Sequence, residues 1–196
     1  AMHHWLNRGG AIAMMLIIAS GLWIYIAHYN PRIITNPMRG LAITLLLLLC
    51  QALAVFLTQV HPEFVYATGT FPTLLAAMIL AIAYNQRFAL AVGAVHAIMV
   101  TASLKLPVDF GLVLLVGVAV AVWQLGEVRS RSKIVQVGLW SGLAMATATL
   151  AIGFADRPLY LSGEWRRLLL DGFHALLTGI GSGLLVQGIL PGIEAA

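Results

Sequence analysis

Again and again along this chain an apolar run approaches or reaches the roughly 20 residues that an α-helix needs to cross the ~30 Å hydrocarbon core of a bilayer. About seven such runs can be read, at residues 9–29, 38–60, 64–84, 88–104, 110–125, 134–154 and 165–190. Inside hydrocarbon every backbone N–H and C=O must be satisfied within the protein, so only helices and closed barrels can span it. A barrel strand would alternate apolar and polar residues, and these runs do not. The expectation is an all-α polytopic integral membrane protein, about seven transmembrane helices in one bundle, forming a single transmembrane domain over residues 1–196. Composition excludes the alternative of a soluble domain: 61% of residues are hydrophobic, 9% are charged, and the mean hydropathy is +0.94.

The connectors are short and carry the punctuation. Asn30-Pro31, His61-Pro62-Glu63, Asn85-Gln86-Arg87 and Lys105-Leu106-Pro107 each end an apolar run, because proline and capping residues cannot continue an ordinary helix. Pro72 lies inside the third run, and Pro191 stops the seventh. The formal charge of +4 comes from residues placed almost entirely between the runs, which anchors loops at a membrane surface and gives no nucleic-acid footprint. Residues 1–10 lead into a full-length span, unlike the short apolar stretch of a cleavable signal peptide, and His3 and His4 read as tag or tail residues.

Cationic loops favour the cytoplasmic side of a membrane. With the N-terminus outside, Arg32, Arg39, Arg87, Arg129, Arg131 and Lys133 fall inside, and Arg8, Lys105, Arg157, Arg166 and Arg167 fall outside. The dense Arg129, Arg131 and Lys133 cluster shares a side with Arg32 and Arg39, while the connector between the second and third runs has no Lys or Arg. This predicts N-terminus outside and C-terminus cytoplasmic.

Polar side chains inside a bilayer are costly, and each one calls for a functional hypothesis. Gln51, His96, Asp171, His174 and Gln187 are of this kind. Gln51, His96, Asp171 and His174 each lie about six to ten residues from the outer end of a run, or ~9–15 Å deep at 1.5 Å per residue. Thr70 and Pro72 fall at a comparable depth. Gln51, Thr70, Pro72, His96, Asp171 and His174 therefore form a candidate ligand-binding layer for an unknown small molecule. The same groups also suit interhelical hydrogen bonds, and Asp171 with His174 or Arg167 suits a local ion pair.

Catalytic and metal chemistry find less support. The single cysteine, Cys50, excludes an internal disulfide and any Cys-based metal motif. His96, His174 and Asp171 are chemically competent ligands, but no local motif joins them, so no metal and no cofactor are assigned. The run Gly179-Ile180-Gly181-Ser182-Gly183 departs from the Gly-x-Ser-Gly of intramembrane serine hydrolases, and His174 is about 12 Å along the axis from Ser182. Gly179 with Gly183, and Gly138 with Gly142, read better as small-xxx-small packing faces. The chain is thus expected to have no catalytic residues of its own.

The end of the chain carries a more specific signal. Asp171-Gly172-Phe173, a Gly-rich helix, and Gly188-Ile189-Leu190-Pro191-Gly192-Ile193-Glu194 resemble the last membrane helix of bacterial seven-transmembrane receptors with an intracellular HD hydrolase domain. The stretch from Phe71-Pro72-Thr73 to Leu80, followed by Asn85-Gln86-Arg87-Phe88-Ala89-Leu90, is similar to that family's proline-bearing helix and its turn into the next. The likeness runs from about residue 70 to 194. It implies a sensory or transducing membrane domain in the bacterial inner membrane, joined to an extracytoplasmic domain and to a cytoplasmic HD phosphodiesterase of cyclic di-AMP. No His-Asp dipeptide occurs within these residues, so no hydrolase residue can be carried over. Two other readings remain: a small-molecule transporter, since a polar layer beside a proline-interrupted helix also builds midplane sites, and a structural anchor whose glycine faces assemble a homo-oligomer.

Overall fold

The computed structural model describes residues 20, 21, 24, 25, 36–126, 131–156 and 163–194. Most of the apolar run at 9–29 lies outside the described residues. The chain divides into two compact units, residues 1–45 and 46–196. In the first, the side chain of Asn36 accepts from the Met38 amide at 3.2 Å and starts helix α1 (Pro37–Val60), with proline in the first position where a missing N–H costs nothing. α1 then continues into the second unit.

The described residues of the second unit form helices joined by short turns, with no strand among them. After α1 come a 3₁₀ turn (Pro62–Phe64) and the single helical turn α2 (Val65–Thr68), then α3 (Phe71–Ala83), α4 (Gln86–Ser103), α5 (Val108–Leu125), α6 (Arg131–Asp156) and α7 (Glu164–Glu194). Among the described residues five spans are long and apolar enough to cross a membrane: α1, the segment from Pro62 to Ala83, α5, the residues 132–155 of α6, and the residues 164–190 of α7. α4 is as long as α5 but is diluted by Gln86, Arg87 and His96, and falls outside that set. The large exposed apolar side chains, among them Leu48, Leu49 and Phe56 of α1, Leu112 and Val116 of α5 and Phe173 and Leu177 of α7, would be an aggregation hazard in water. In a bilayer they are the lipid-facing surface, and the fold is that of a polytopic α-helical membrane protein.

Local chemistry sets the helix ends. The Asn85 side chain accepts from the Phe88 amide at 2.8 Å and caps α4. At the other end Leu106 N–H reaches the Thr101 carbonyl (3.0 Å) and Lys105 N–H the Ala102 carbonyl (3.2 Å), a Schellman stop with Lys105 in the left-handed region at φ 54°. Pro107 follows and forbids any continuation. The third apolar run is not one helix: it breaks at Gly69-Thr70. Pro72 therefore does not interrupt a running helix but sits in the first turn of α3, where its absent N–H is not missed. At the far end the outcome is reversed, for α7 runs past Pro191 to Glu194. There proline gives up the bond to the Gln187 carbonyl without ending the helix.

One core packs α3, α5, α6 and α7 around Leu74, Met78, Val113, Ile134, Val137, Met145, Ala175 and Val186. A second joins α1, α4 and α5 through Ala54, Ala97, Val100, Phe110 and Leu114. The closest approach is between α6 and α7. A Cβ on Gly138 would stand 2.5 Å from the Gly179 carbonyl, one on Gly142 2.5 Å from the Leu176 carbonyl, and one on Gly179 would run into the backbone of Gly138 and Gly142. The two glycine pairs therefore face each other within one chain, backbone on backbone. They are spent on this contact and offer no face to a second subunit.

Candidate functional site

Breaking the third run at Gly69-Thr70 leaves carbonyls without helical partners, and α7 supplies them. The Thr70 hydroxyl is shared between the Tyr66 carbonyl, one turn back, and the Thr178 hydroxyl of α7 at 3.1 Å. Thr178 in turn reaches the His174 carbonyl at 3.1 Å and the Tyr66 and Ala67 carbonyls at 3.4 Å each. Both threonines are buried. Just outside them the Phe64 ring meets the imidazole of His174 edge-on, with centroids 4.9 Å apart. The broken segment is thus tied to α7 by one aromatic contact, one hydroxyl pair and the reach of Thr178 to the Tyr66 and Ala67 carbonyls.

One turn along α3 from Thr70 stands Thr73, also fully buried, with its hydroxyl 3.0 Å from His96 Nδ1. The other ring nitrogen of His96 points at the Leu47 carbonyl of α1, 3.3 Å away. One to two turns outward Gln51 Nε2 donates to the Ser103 hydroxyl at 3.0 Å and joins α1 to α4 a second time. A polar seam therefore crosses the second unit from α7 through α3 and α4 to α1.

Of the six side chains expected to share a layer, Thr70 meets Thr178 and His174 meets Phe64 at the break, His96 meets Thr73 in the seam, and Gln51 lies at the α1–α4 edge. Pro72 is buried in the first turn of α3, and Asp171 is half-buried on α7 one turn before His174. His96 and His174 are not brought onto a common partner. Among the described residues no three His, Cys, Asp or Glu side chains converge as a metal would need. Arg167 pairs with Glu164 at 3.2 Å.

The structure adds Thr73, Thr178 and Ser182 to the site. His174, Thr178 and Ser182 recur every fourth residue and so line one face of α7; that spacing was the available signal. Among the described residues, His174 Nδ1, Ser182 Oγ and Gln51 Oε1 are buried polar atoms without a hydrogen-bond partner. Buried and unpaired, such atoms each cost about 1–3 kcal/mol, so this stripe has unspent capacity to bind a polar group.

The hydroxyl pair can be tested directly. Thr70→Val and Thr178→Val should each lower stability, and the double variant should lose less than the sum. The coupling expected is about 0.6–2 kcal/mol, the range for interhelical hydrogen bonds in membranes. A double-mutant cycle from unfolding in detergent measures it, and additive losses would mean that the two hydroxyls do not interact.

Fold and seam together define a multi-pass membrane domain with a polar interior. Residues 5–196 match the family model described as 7TM receptor with intracellular HD hydrolase. The chain belongs to that family of receptors. Comparison with curated proteins and with solved structures finds no match.

Proposed function

We propose that this domain senses a signal in the outer half of the bilayer and relays it along α7 to a cytoplasmic HD phosphodiesterase of cyclic di-AMP in the full-length protein, which also carries an extracytoplasmic domain. The observation that carries the reading is the tie between the helix break and α7. α7 meets the broken segment through His174 and Thr178 and then continues about 30 Å to Glu194. A ligand at the outer layer formed by Gln51, Thr70, Pro72, His96, Asp171 and His174, extended by Ser182, would compete for hydrogen bonds that now fasten α7. It shifts the helix arrangement by whatever differential affinity it has for the two arrangements. Arg87, Arg131 and Lys133 lie at the same end of the helices as Glu194, which supports N-terminus outside and C-terminus cytoplasmic in a bacterial inner membrane.

The test is cyclic di-AMP hydrolysis by the full-length protein in membranes, with Asp171→Asn and His174→Ala compared at equal membrane abundance. A coupling of 1–3 kcal/mol between sites corresponds to a change in output of about fivefold or more. Unchanged output in both variants would remove these residues from signalling and leave the domain an anchor.

A further inference from the structure

At the end of the helices where α7 finishes, α4, α5 and α6 enclose a cleft of about 490 Å³ lined by Gln86, Trp123, Gln124, Gly126 and Lys133. Its back wall is unusual. Gln86 Nε2 donates to two carbonyls of the last turn of α5, Trp123 at 2.8 Å and Val122 at 3.1 Å. The fit is close, since a Cβ on Gly126 would collide with the Gln86 amide. A helix C-terminus ordinarily repels anions through such carbonyls. Here the amide of Gln86 occupies them.

What remains facing the cleft suits an anion. Lys133 stands in the first turn of α6, where the helix dipole adds positive potential. Among the cleft-lining residues none is acidic. Trp123 is 78% exposed although it lies within the last turn of a membrane-spanning helix. An outward indole at that depth is the signature of the membrane interface, where headgroups lie.

We propose that this cleft binds the phosphate headgroup of an anionic phospholipid, with Lys133 holding the charge, the Gln124 amide donating to phosphate oxygens, and Trp123 resting on the glycerol and upper acyl region. Gln86 is a positioning residue that closes the α5 carbonyls against the anion. A soluble phosphate ester presents the same anion, and a cytoplasmic domain of the full-length protein is a different occupant; the depth of Trp123 favours the lipid.

The experiment is native mass spectrometry of the purified chain with phosphatidylglycerol or phosphatidylcholine. Wild type should bind the first phosphatidylglycerol about fivefold more tightly than phosphatidylcholine, the worth of one lysine at an anionic surface. Lys133→Gln should abolish that preference. Trp123→Ala should weaken retention of both lipids. Lys105→Gln, the same charge change at the opposite end of α4, should leave the preference intact. Equal binding of the two lipids by wild type, or equal loss in the Lys105 and Lys133 variants, overturns the proposal. Displacement by glycerophosphoglycerol at the lipid's own concentration overturns the lipid assignment in favour of a soluble ester. Equal lipid binding in this chain, with Lys133 shielded from amine labelling only in the full-length protein, assigns the cleft to the cytoplasmic domain instead.

Discussion

Replacing Gly179 by alanine should cost about 1–3 kcal/mol, the usual range for overpacking a well-filled interior, and replacing it by leucine should abolish the folded protein. The reason is what the new Cβ meets. At most helix contacts an added methyl group presses on side chains that can turn aside, but at Gly179 it presses on the Gly138 carbonyl and on the backbone of Gly142. Backbone can yield only by moving the whole of α6. Gly138→Ala should behave alike, since its Cβ would stand 2.5 Å from the Gly179 carbonyl. Gly188→Ala provides the contrast on the same helix: nothing lies within 4 Å of its Cβ, and alanine is the better helix former by roughly 0.8–1.0 kcal/mol. Unfolding in a detergent titration followed by circular dichroism should therefore show a lowered midpoint for Gly179→Ala and an equal or raised one for Gly188→Ala. Equal midpoints for the two would mean that α6 and α7 do not meet backbone to backbone.

The second large effect is expected at His96. This imidazole is 2% exposed and connects three helices, α4 on which it stands, α3 through Thr73 and α1 through the Leu47 carbonyl. His96→Ala removes the ring volume as well as both polar contacts, and a loss of about 2–4 kcal/mol follows from buried large-to-small changes. His96→Leu keeps most of the volume and isolates the polar share, which should be about 0.6–2 kcal/mol. Thr73→Val leaves Nδ1 of a buried ring unpaired and should cost about 1–3 kcal/mol in the presence of His96, but little in the His96→Leu background. If Thr73→Val costs the same in both backgrounds, the seam is not a connected network.

These two sites also mark how far the sequence could be read. The spans were legible because length and apolarity act locally: a run such as the one ending at Val60 declares its solvent whatever its neighbours are. The glycine pairs were legible as close-packing faces, yet nothing in Gly138-xxx-Gly142 names Gly179-xxx-Gly183 as its partner, and an assembly face for a second subunit reads the same. Proline was ambiguous in both directions. Pro72 looks alike inside a helix and at its first turn, and the break at Gly69-Thr70 is decided by what α7 offers to the freed carbonyls. Pro191 reads as a stop, but one lost hydrogen bond at the end of a long helix is not enough to end it.

The polar residues divide in the same way. His96 and His174 stand out in an apolar sequence because a ring nitrogen in hydrocarbon needs an account. Their partners do not stand out: Thr73 and Thr178 are threonines in helices, which commonly turn their hydroxyls back on their own carbonyls, as Thr149 does to Met145 at 2.9 Å. Only the three-dimensional arrangement shows which threonine reaches across. Ser182 was conspicuous for the wrong reason, as a nucleophile without a base. Its place is on the face shared with His174 and Thr178, where its buried hydroxyl is unpaired among the described residues.

The α6–α7 contact also has a mechanical consequence. Between most helices a layer of interdigitated side chains can absorb a small displacement by changing rotamers, so that one helix slides while its neighbour stays. Glycine against glycine leaves no such layer, and α6 has to travel with α7. Under the proposed relay, a shift begun at His174 would emerge at two points on the side where α7 ends, at Glu194 and at the start of α6 beside Lys133, giving one motion two outlets.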